Sequence, residues 1–234
     1  MSKLTWDVTG TRYYETGVSK VVLFPQNTDG TYASGVAWSG VTNITLSPDG
    51  AEPNELYADN IKYAVLRSAE TLGLSIEAYT YPEEWAACDG QATPADTAGV
   101  YIGQQPRKAF GLCFRTEIGS DTATDANAGY KLHIVWNASA SPSERAYDTI
   151  NDSPDAQTMS WDCTTTAVNL SSSYKPVCSI ELDSTKMSTT TAGYLTTLEG
   201  ILYGTDGEGN NSGTSSTLLT PAQVVSVMTT GSYT

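Results

Sequence analysis

Basic residues are scarce in this chain. Twelve Lys and Arg stand against 26 Asp and Glu, which gives a formal net charge of −14. The seven Lys and five Arg are scattered among the acids and form no basic cluster. Proteins that grip nucleic acid need such a cluster, because much of their affinity comes from neutralising phosphates. The composition therefore argues against tight binding of DNA or RNA.

Long apolar runs are also missing. No stretch approaches the ~18 residues that a membrane-spanning helix requires, so we expect no membrane partner. The first residues, MSKLTWD, contain no apolar segment of the kind found in secretory signals. We therefore expect synthesis in the cytoplasm, where thiols stay reduced.

Residues that carry catalysis or bind metals are few. His133 is the only histidine, and any Ser-His-Asp or Cys-His scheme would have to use it as the base. The four cysteines form no Cys-x-x-Cys pair, so they are interpreted as reduced, mostly core residues: Cys88, Cys113, Cys163 and Cys178. The acidic run at residues 206–210 is similar to a calcium loop but has Thr217 where the bidentate Glu belongs. We expect no enzyme activity, no cofactor and no metal.

The residues that are abundant favour strands. The chain has 24 Ser, 33 Thr and 14 Tyr but only 16% charged residues, a balance that suits pleated strands better than exposed helices. Seven stretches are predicted to form strands, the first from an apolar run that ends at Pro25 and the other six from apolar side chains in steps of two: residues 17–25, 35–46, 72–79, 111–118, 130–136, 159–165 and 178–182. The pattern predicts a mainly β fold, either a sandwich or a barrel.

A few segments break this pattern. Residues 47–55 hold two Pro, one Gly and three acids, which predicts a long projecting loop. A two-turn helix is predicted at 82–88, with Pro82 at its first position and Gly90 at its end. Further helices are predicted at 189–203 and 221–228.

Two of these segments also set the predicted domain organisation. The second C-terminal helix follows a capping box formed by Thr220 and Gln223. We divide the chain into a β domain at residues 1–203 and a C-terminal loop and short helix at 204–234. The second part is interpreted as an arm that orders on assembly.

Five segments, in order along the chain, resemble signature segments of the major tail proteins of long-tailed, non-contractile bacteriophages. They are GAEPNELYADNIKY (50–63), AYTYPEE (78–84), IGQQPRK (102–108), NDSP (151–154) and LYGTDG (202–207). The resemblance spans residues 36 to 209, most of the chain. It implies a tail-tube protein whose hexameric rings stack into a tube, with strands from each subunit closing an inner β-barrel around the path of the DNA.

The resemblance also implies roles for particular residues and partners. A helix outside the barrel would correspond to 82–88, with Pro82, Glu83, Glu84 and Trp85. A loop reaching the next ring would correspond to 47–60, with Asp49, Glu52, Glu55, Tyr57 and Asp59. The implied partners are further copies of the chain, the tape measure, terminator and tail-tip proteins, and DNA that passes without tight binding. The chain would belong to the virion.

The acidity of the chain has two interpretations. Six subunits that each carry −14 would give the tube wall the same sign as DNA, which discourages sticking and lets the polymer slide. Alternatively, the negative charge only confers solubility.

A second function from another class stays open. Fourteen Tyr and five Trp could equip a monomeric β-sandwich to bind carbohydrate, since sugar sites use flat aromatic faces. Trp38, Trp136 and Trp161 are in phase with apolar strand residues and are expected in the core. Trp6 and Trp85 remain as candidate exposed platforms.

Overall fold

The fold is seen in a computed structural model. The structure describes residues 3–50, 52–67, 70–94, 97, 99–122, 128–147, 149–150, 156–171, 173–207 and 212–233. The segment NDSP at 151–154 lies outside these residues. Strands account for 44% of the chain and helices for 15%, so the predicted mainly β fold is confirmed.

Ten strands and three α-helices make up the described chain. The strands are β1 (Tyr13–Pro25), β2 (Val36–Ala37), β3 (Val41–Gly50), β4 (Pro53–Ala58), β5 (Ile61–Arg67), β6 (Glu70–Ala78), β7 (Phe110–Ser120), β8 (Gly129–Ala140), β9 (Met159–Thr165) and β10 (Ser179–Asp183). The helices are α1 (Trp85–Cys88), α2 (Thr189–Tyr203) and α3 (Pro221–Thr230), with one 3₁₀ turn at Ser184–Lys186. The seven predicted strand segments all contain strand.

Eight of the strands form one antiparallel sheet in the order β2-β1-β7-β8-β9-β6-β3. The eighth, β10, pairs with the first half of β8, whereas β9 pairs with the last residues of β8. The remaining two strands, β4 and β5, pair with each other. Among the described strands β2 and β3 end the sheet and no ladder joins them, so the sheet does not close into a barrel.

One face of the sheet carries an aromatic core. Trp85 lies at its centre, with ring centroids 4.7 Å from Trp38, 4.9 Å from Phe110 and 5.3 Å from Trp161. The indole of Trp38 donates a hydrogen bond to the carbonyl of Thr80 at 2.8 Å. The apolar face predicted for residues 72–79 contributes Leu74, Ile76 and Ala78 to this core.

Helix α1 corrects two predictions. The helix spans one turn rather than two, and Pro82, Glu83 and Glu84 precede it. Trp85 is fully buried instead of forming an exposed platform. The local sequence indicated a helix start, but it held no sign that three aromatic rings from distant parts of the chain would enclose this indole.

The opposite face of the sheet is covered by α2 and α3, as the helical spacing of their apolar residues requires. Both helices begin where the sequence predicts. The buried residues on this side come from both helices, from the segment before α3 and from β1, β7 and β8: Leu195, Leu198, Leu202, Val224, Val227, Leu218, Leu219, Val22, Phe24, Cys113, Leu132, Ile134 and Trp136. Trp136 donates a hydrogen bond to the carbonyl of Leu219 at 2.8 Å. The segment that leads into α3 is thereby fixed to the sheet.

The N-terminus of α3 offers a local test of this packing. Thr220 accepts a hydrogen bond from the backbone of Gln223, whose side chain accepts one from the backbone of Thr220. We expect Thr220→Ala to lower the free energy of unfolding by about 1 kcal/mol. Urea denaturation measures this change, and an unchanged midpoint would show that the cap is not formed.

Candidate assembly surface

The most prominent surface feature is a two-stranded hairpin that continues the sheet outward. Strands β3 and β6 pair from Val41↔Ala78 to Gly50↔Glu70, and β4 and β5 pair from Pro53↔Arg67 to Ala58↔Ile61. Strand β6 has a second neighbour, β9, only from Gly73 onward. The six residues of β4 correspond to about 20 Å of extended chain. We call residues 53–67 the projecting hairpin.

The tip of the projecting hairpin is a tight turn. Asp59 and Asn60 both have positive φ, 51° and 62°, which is the conformation of a type I′ turn. Such turns match the twist of the two strands that they connect. An Asp-Asn pair between Tyr57 and Ile61 was a local sign of this hairpin that the sequence analysis missed.

One face of the projecting hairpin is apolar although it is in contact with solvent. Asn54 pairs with Leu66 and Leu56 pairs with Ala64, so these side chains share a face. Leu56 is 40% exposed and Leu66 is 54% exposed. A two-stranded hairpin is marginally stable alone in water, so this face is a candidate for burial against another protein.

The opposite face of the hairpin carries a polar cluster. Glu55 binds the ammonium group of Lys62 and accepts a hydrogen bond from the hydroxyl of Tyr57 at 2.6 Å. The hydrogen bonds from Lys62 and Tyr57 lower the pKa of Glu55, and the same contact with Glu55 raises the pKa of Tyr57. This face combines these polar groups with Val65, which is 41% exposed, whereas on the face with Leu56 and Leu66 the polar residue is Asn54.

The residues predicted for the inter-ring loop lie on the projecting hairpin or on the segment that leads into it. Asp49 is in β3, Glu52 lies between β3 and β4, and Glu55 and Tyr57 are in β4, while Asp59 forms the turn. All five are exposed. The prediction of a loop at 47–55 is wrong as secondary structure for most of its length, because residues 47–50 pair with 70–73 and residues 53–55 pair with 65–67. The ladders of β3 with β6 and of β4 with β5 pair backbone groups in a segment whose Pro and Gly content had indicated a loop.

Strand β3 also presents an open edge. It ends the sheet, and over the described strands its ladder partner is β6 alone. Residues 42–44 of this strand lie beside Gly17 and Val18 of β1, and the unpaired edge beyond them is a template for a strand from another chain. Pro48 lies within this strand, and Pro within a sheet is confined to edges, strand starts and bulges. The hairpin and this edge together form the candidate assembly surface.

The single histidine lies in a charged group at the rim of the aromatic core. The imidazole of His133 stacks on Phe114 with centroids 4.7 Å apart, and Nε2 lies 3.0 Å from the hydroxyl of Thr116. Lys131 bridges Glu15 at 2.9 Å and Glu181 at 3.0 Å.

Burial lowers the pKa of His133 and outweighs the opposing effect of Glu181 and Glu15. Burial raises the pKa of Glu15, but hydrogen bonds from Thr116 and Lys131 outweigh it, so the net shift is downward.

These shifts predict a dependence of stability on pH. The unfolded chain binds a proton at His133 more readily than the folded chain, so stability is lost as pH falls below about 6.5. A second loss, from Glu15, begins below about 4.5. We expect His133→Gln to remove the first loss while leaving the second. Urea denaturation across pH 7.5 to 4 measures both, and an unchanged slope near pH 6 in the variant would contradict the assignment.

The described residues were also compared with the requirements of metal binding, thiol chemistry and membrane insertion. No group of three or more His, Cys, Asp or Glu able to hold a metal occurs among the described residues, and residues 208–210 of the calcium-like run lie outside them. Burial raises the pKa of the thiols of Cys88, Cys113 and Cys163 to about 12. The helices in the described parts of the chain are too short or too polar to cross a membrane.

Comparisons with known proteins find similarity among solved structures but not among sequence families. No protein-family model matches the chain, and no curated protein matches it. The chain is similar to a chain of an extracellular contractile injection system, the PVC sheath–tube complex in its extended state. The two are 10% identical, with 70% of this chain and 88% of the other covered and a TM-score of 0.27. A TM-score this low does not show that the two chains share a fold.

Proposed function

We propose that the chain is a structural subunit of a phage tail tube and has no enzymatic activity. In this proposal six copies form a ring, rings stack into a tube, and DNA passes through it to the host cell. The subunit is made in the host cytoplasm and ends in the virion. Five sequence segments that resemble major tail proteins support this assignment.

The observation that carries the proposal is the projecting hairpin. Its face with Leu56 and Leu66 is exposed, and the hairpin has no third strand among the described residues. Exposed apolar surface on a marginally stable element calls for a partner that covers it. In a stack of rings, that partner is the neighbouring ring. The residues assigned to this contact are Asp49, Glu52, Glu55, Tyr57 and Asp59, together with Leu56 and Leu66.

The open sheet supports the same proposal. Strand β3 offers backbone groups along one edge, and pairing around a ring satisfies such edges without leaving a free end. Strands of neighbouring subunits would then form the continuous inner wall. The net charge of −14 per chain suits a wall that DNA passes without binding.

The proposal also assigns partners at the ends of the tube. A ring at the end of a stack leaves one surface uncovered, which the tape measure, terminator and tail-tip proteins would meet. The helix α1 and the preceding Pro82, Glu83 and Glu84 are assigned to the outside of the wall.

Native mass spectrometry tests the ring directly. The account expects a species at six times the chain mass of 24.9 kDa that gains weight with concentration. It also expects no retention of DNA at physiological salt. A chain that stays monomeric, or that forms only dimers, would contradict the proposed function.

A further inference from the structure

The N-terminal segment before β1 carries a second exposed apolar group. Leu4 is 73% exposed and Trp6 is 76% exposed, while Val8 is 47% exposed. They are spaced in steps of two in the sequence, but Asp7 has a positive φ of 55°, so the segment is not an extended strand in the free subunit. We call residues 3–8 the N-terminal arm.

The arm leaves the molecule from a well-defined turn. Arg12 donates a hydrogen bond from Nη2 to the carbonyl of Asp7 at 2.9 Å, and the backbone amide of Thr11 donates to the carbonyl of Val8 at 3.1 Å. The amide of Gly10 donates to the carboxylate of Asp121 at 3.0 Å. Trp6 is therefore held at the end of β1 that begins with Tyr13.

An apolar cavity lies toward the other end of β1. Its volume is about 450 Å³, within the range of about 300–1,000 Å³ typical of binding pockets. Val22, Ala37 and Tyr203 supply apolar walls, and Lys20 lies at its side with its ammonium 5.7 Å from the ring centroid of Tyr203. The cavity adjoins the two-residue strand β2, which ends the sheet, and the backbone amide of Gly35 just before it donates to the carbonyl of Ser216 at 3.3 Å.

The arm cannot reach this cavity within its own chain. Seven residue steps along β1 lead from Tyr13 to Lys20, at most about 23 Å at the rise of a strand. Trp6 lies four residues from the anchored Gly10, a reach of at most about 14 Å. An arm that fills such a cavity must therefore come from another molecule.

We propose that the N-terminal arm of one copy docks beside β2 of a second copy, with Trp6 in the cavity next to Tyr203. Asp7, whose carboxylate lies 3.9 Å from Arg12 of its own chain, would then lie near Lys20, which has the opposite charge. Donor and acceptor lie at opposite ends of β1, so the contact is head-to-tail, and repeated contacts of this kind close into a ring or extend as a filament. The inference rests on the proposed self-assembly and assigns one of its contacts.

Photocrosslinking locates the arm. The full chain carries p-benzoylphenylalanine in place of Trp6, and isotopically heavy and light chains are mixed before irradiation. We expect crosslinks between a heavy and a light chain that map to residues 20–22, 35–37 and 203. Crosslinks within one chain, crosslinks to the projecting hairpin, or no crosslinks in assembled protein would overturn the inference.

Variants measure the strength of the contact. We expect Trp6→Ala and Ala37→Glu each to raise the concentration needed for assembly by about tenfold or more. The double variant is expected to be little worse than either alone, because both remove one contact. Tyr174→Ala removes a different exposed aromatic, 66% exposed, and is the control that should leave assembly unchanged.

The outcomes distinguish failure of the arm contact from failure of the proposed tail-tube function. Wild-type assembly that is insensitive to Trp6→Ala overturns the arm contact and leaves the tail-tube proposal standing. A wild-type chain that is monomeric at every concentration overturns both.

Discussion

Removing the projecting hairpin is expected to abolish the stacking of rings while leaving the fold of the subunit intact. Replacement of residues 51–69 by Asn-Gly joins Gly50 to Glu70 through a dipeptide suited to a two-residue hairpin turn. The removed strands contribute no residue to either core cluster. We therefore expect the thermal midpoint to change by only a few degrees, while rings no longer stack.

A pair of adjacent substitutions tests which face of the hairpin is covered. Leu66→Lys places a charge beside Leu56 on the apolar face, and we expect it to weaken stacking about tenfold or more. Val65→Lys is the matched control, because Val65 pairs with Glu55 on the opposite face. Light scattering at matched concentrations measures both. Equal behaviour of the two variants, or normal stacking by the chain without the hairpin, would exclude the hairpin as the contact between rings.

Replacing Trp85 by Ala is expected to cost about 3–5 kcal/mol of the free energy of unfolding. The indole is fully buried and contacts three other aromatic rings. Because a domain of this kind is stable by only about 5–15 kcal/mol, much of the population would unfold under mild denaturant. Urea denaturation monitored by far-ultraviolet circular dichroism measures the change.

Two further variants control this experiment. Trp85→Phe should be far milder, because it retains an aromatic ring and removes an indole N–H that is buried without a hydrogen-bond partner. Trp6→Ala should shift stability by no more than about 0.5 kcal/mol, since Trp6 is 76% exposed. A stable Trp85→Ala protein would instead place Trp85 at the surface, as the carbohydrate-binding hypothesis requires.

Periodic segments were predicted well from the sequence. The strand at 72–79 and the helix at 189–203 depend on local repeats of apolar residues, and the capping box at Thr220 depends on neighbours three residues apart. Such signals are complete within one segment, so no knowledge of the rest of the fold is needed to interpret them.

The candidate site was predicted only in part, because it depends on contacts between distant segments. Residues 47–60 were expected to project, and their exposure agrees with this. Their pairing with 61–73 depends on register across the hairpin, which composition does not encode. Trp85 was misplaced for the same reason: its burial requires rings from Trp38, Phe110 and Trp161, each in a different part of the chain.

Two assignments remain predictions. The division at residues 203 and 204 rests on composition, although the contacts of α3 place Val224 and Val227 in the core shared with the sheet. The position of the acidic residues relative to a lumen depends on the assembled ring.

The most direct test of the central claim is negative-stain electron microscopy of the purified full-length chain over a wide range of concentrations. The account predicts six-subunit rings with a central hole, which stack into hollow tubes as the concentration rises. Monomers alone at every concentration, or aggregates without a hole, would contradict it.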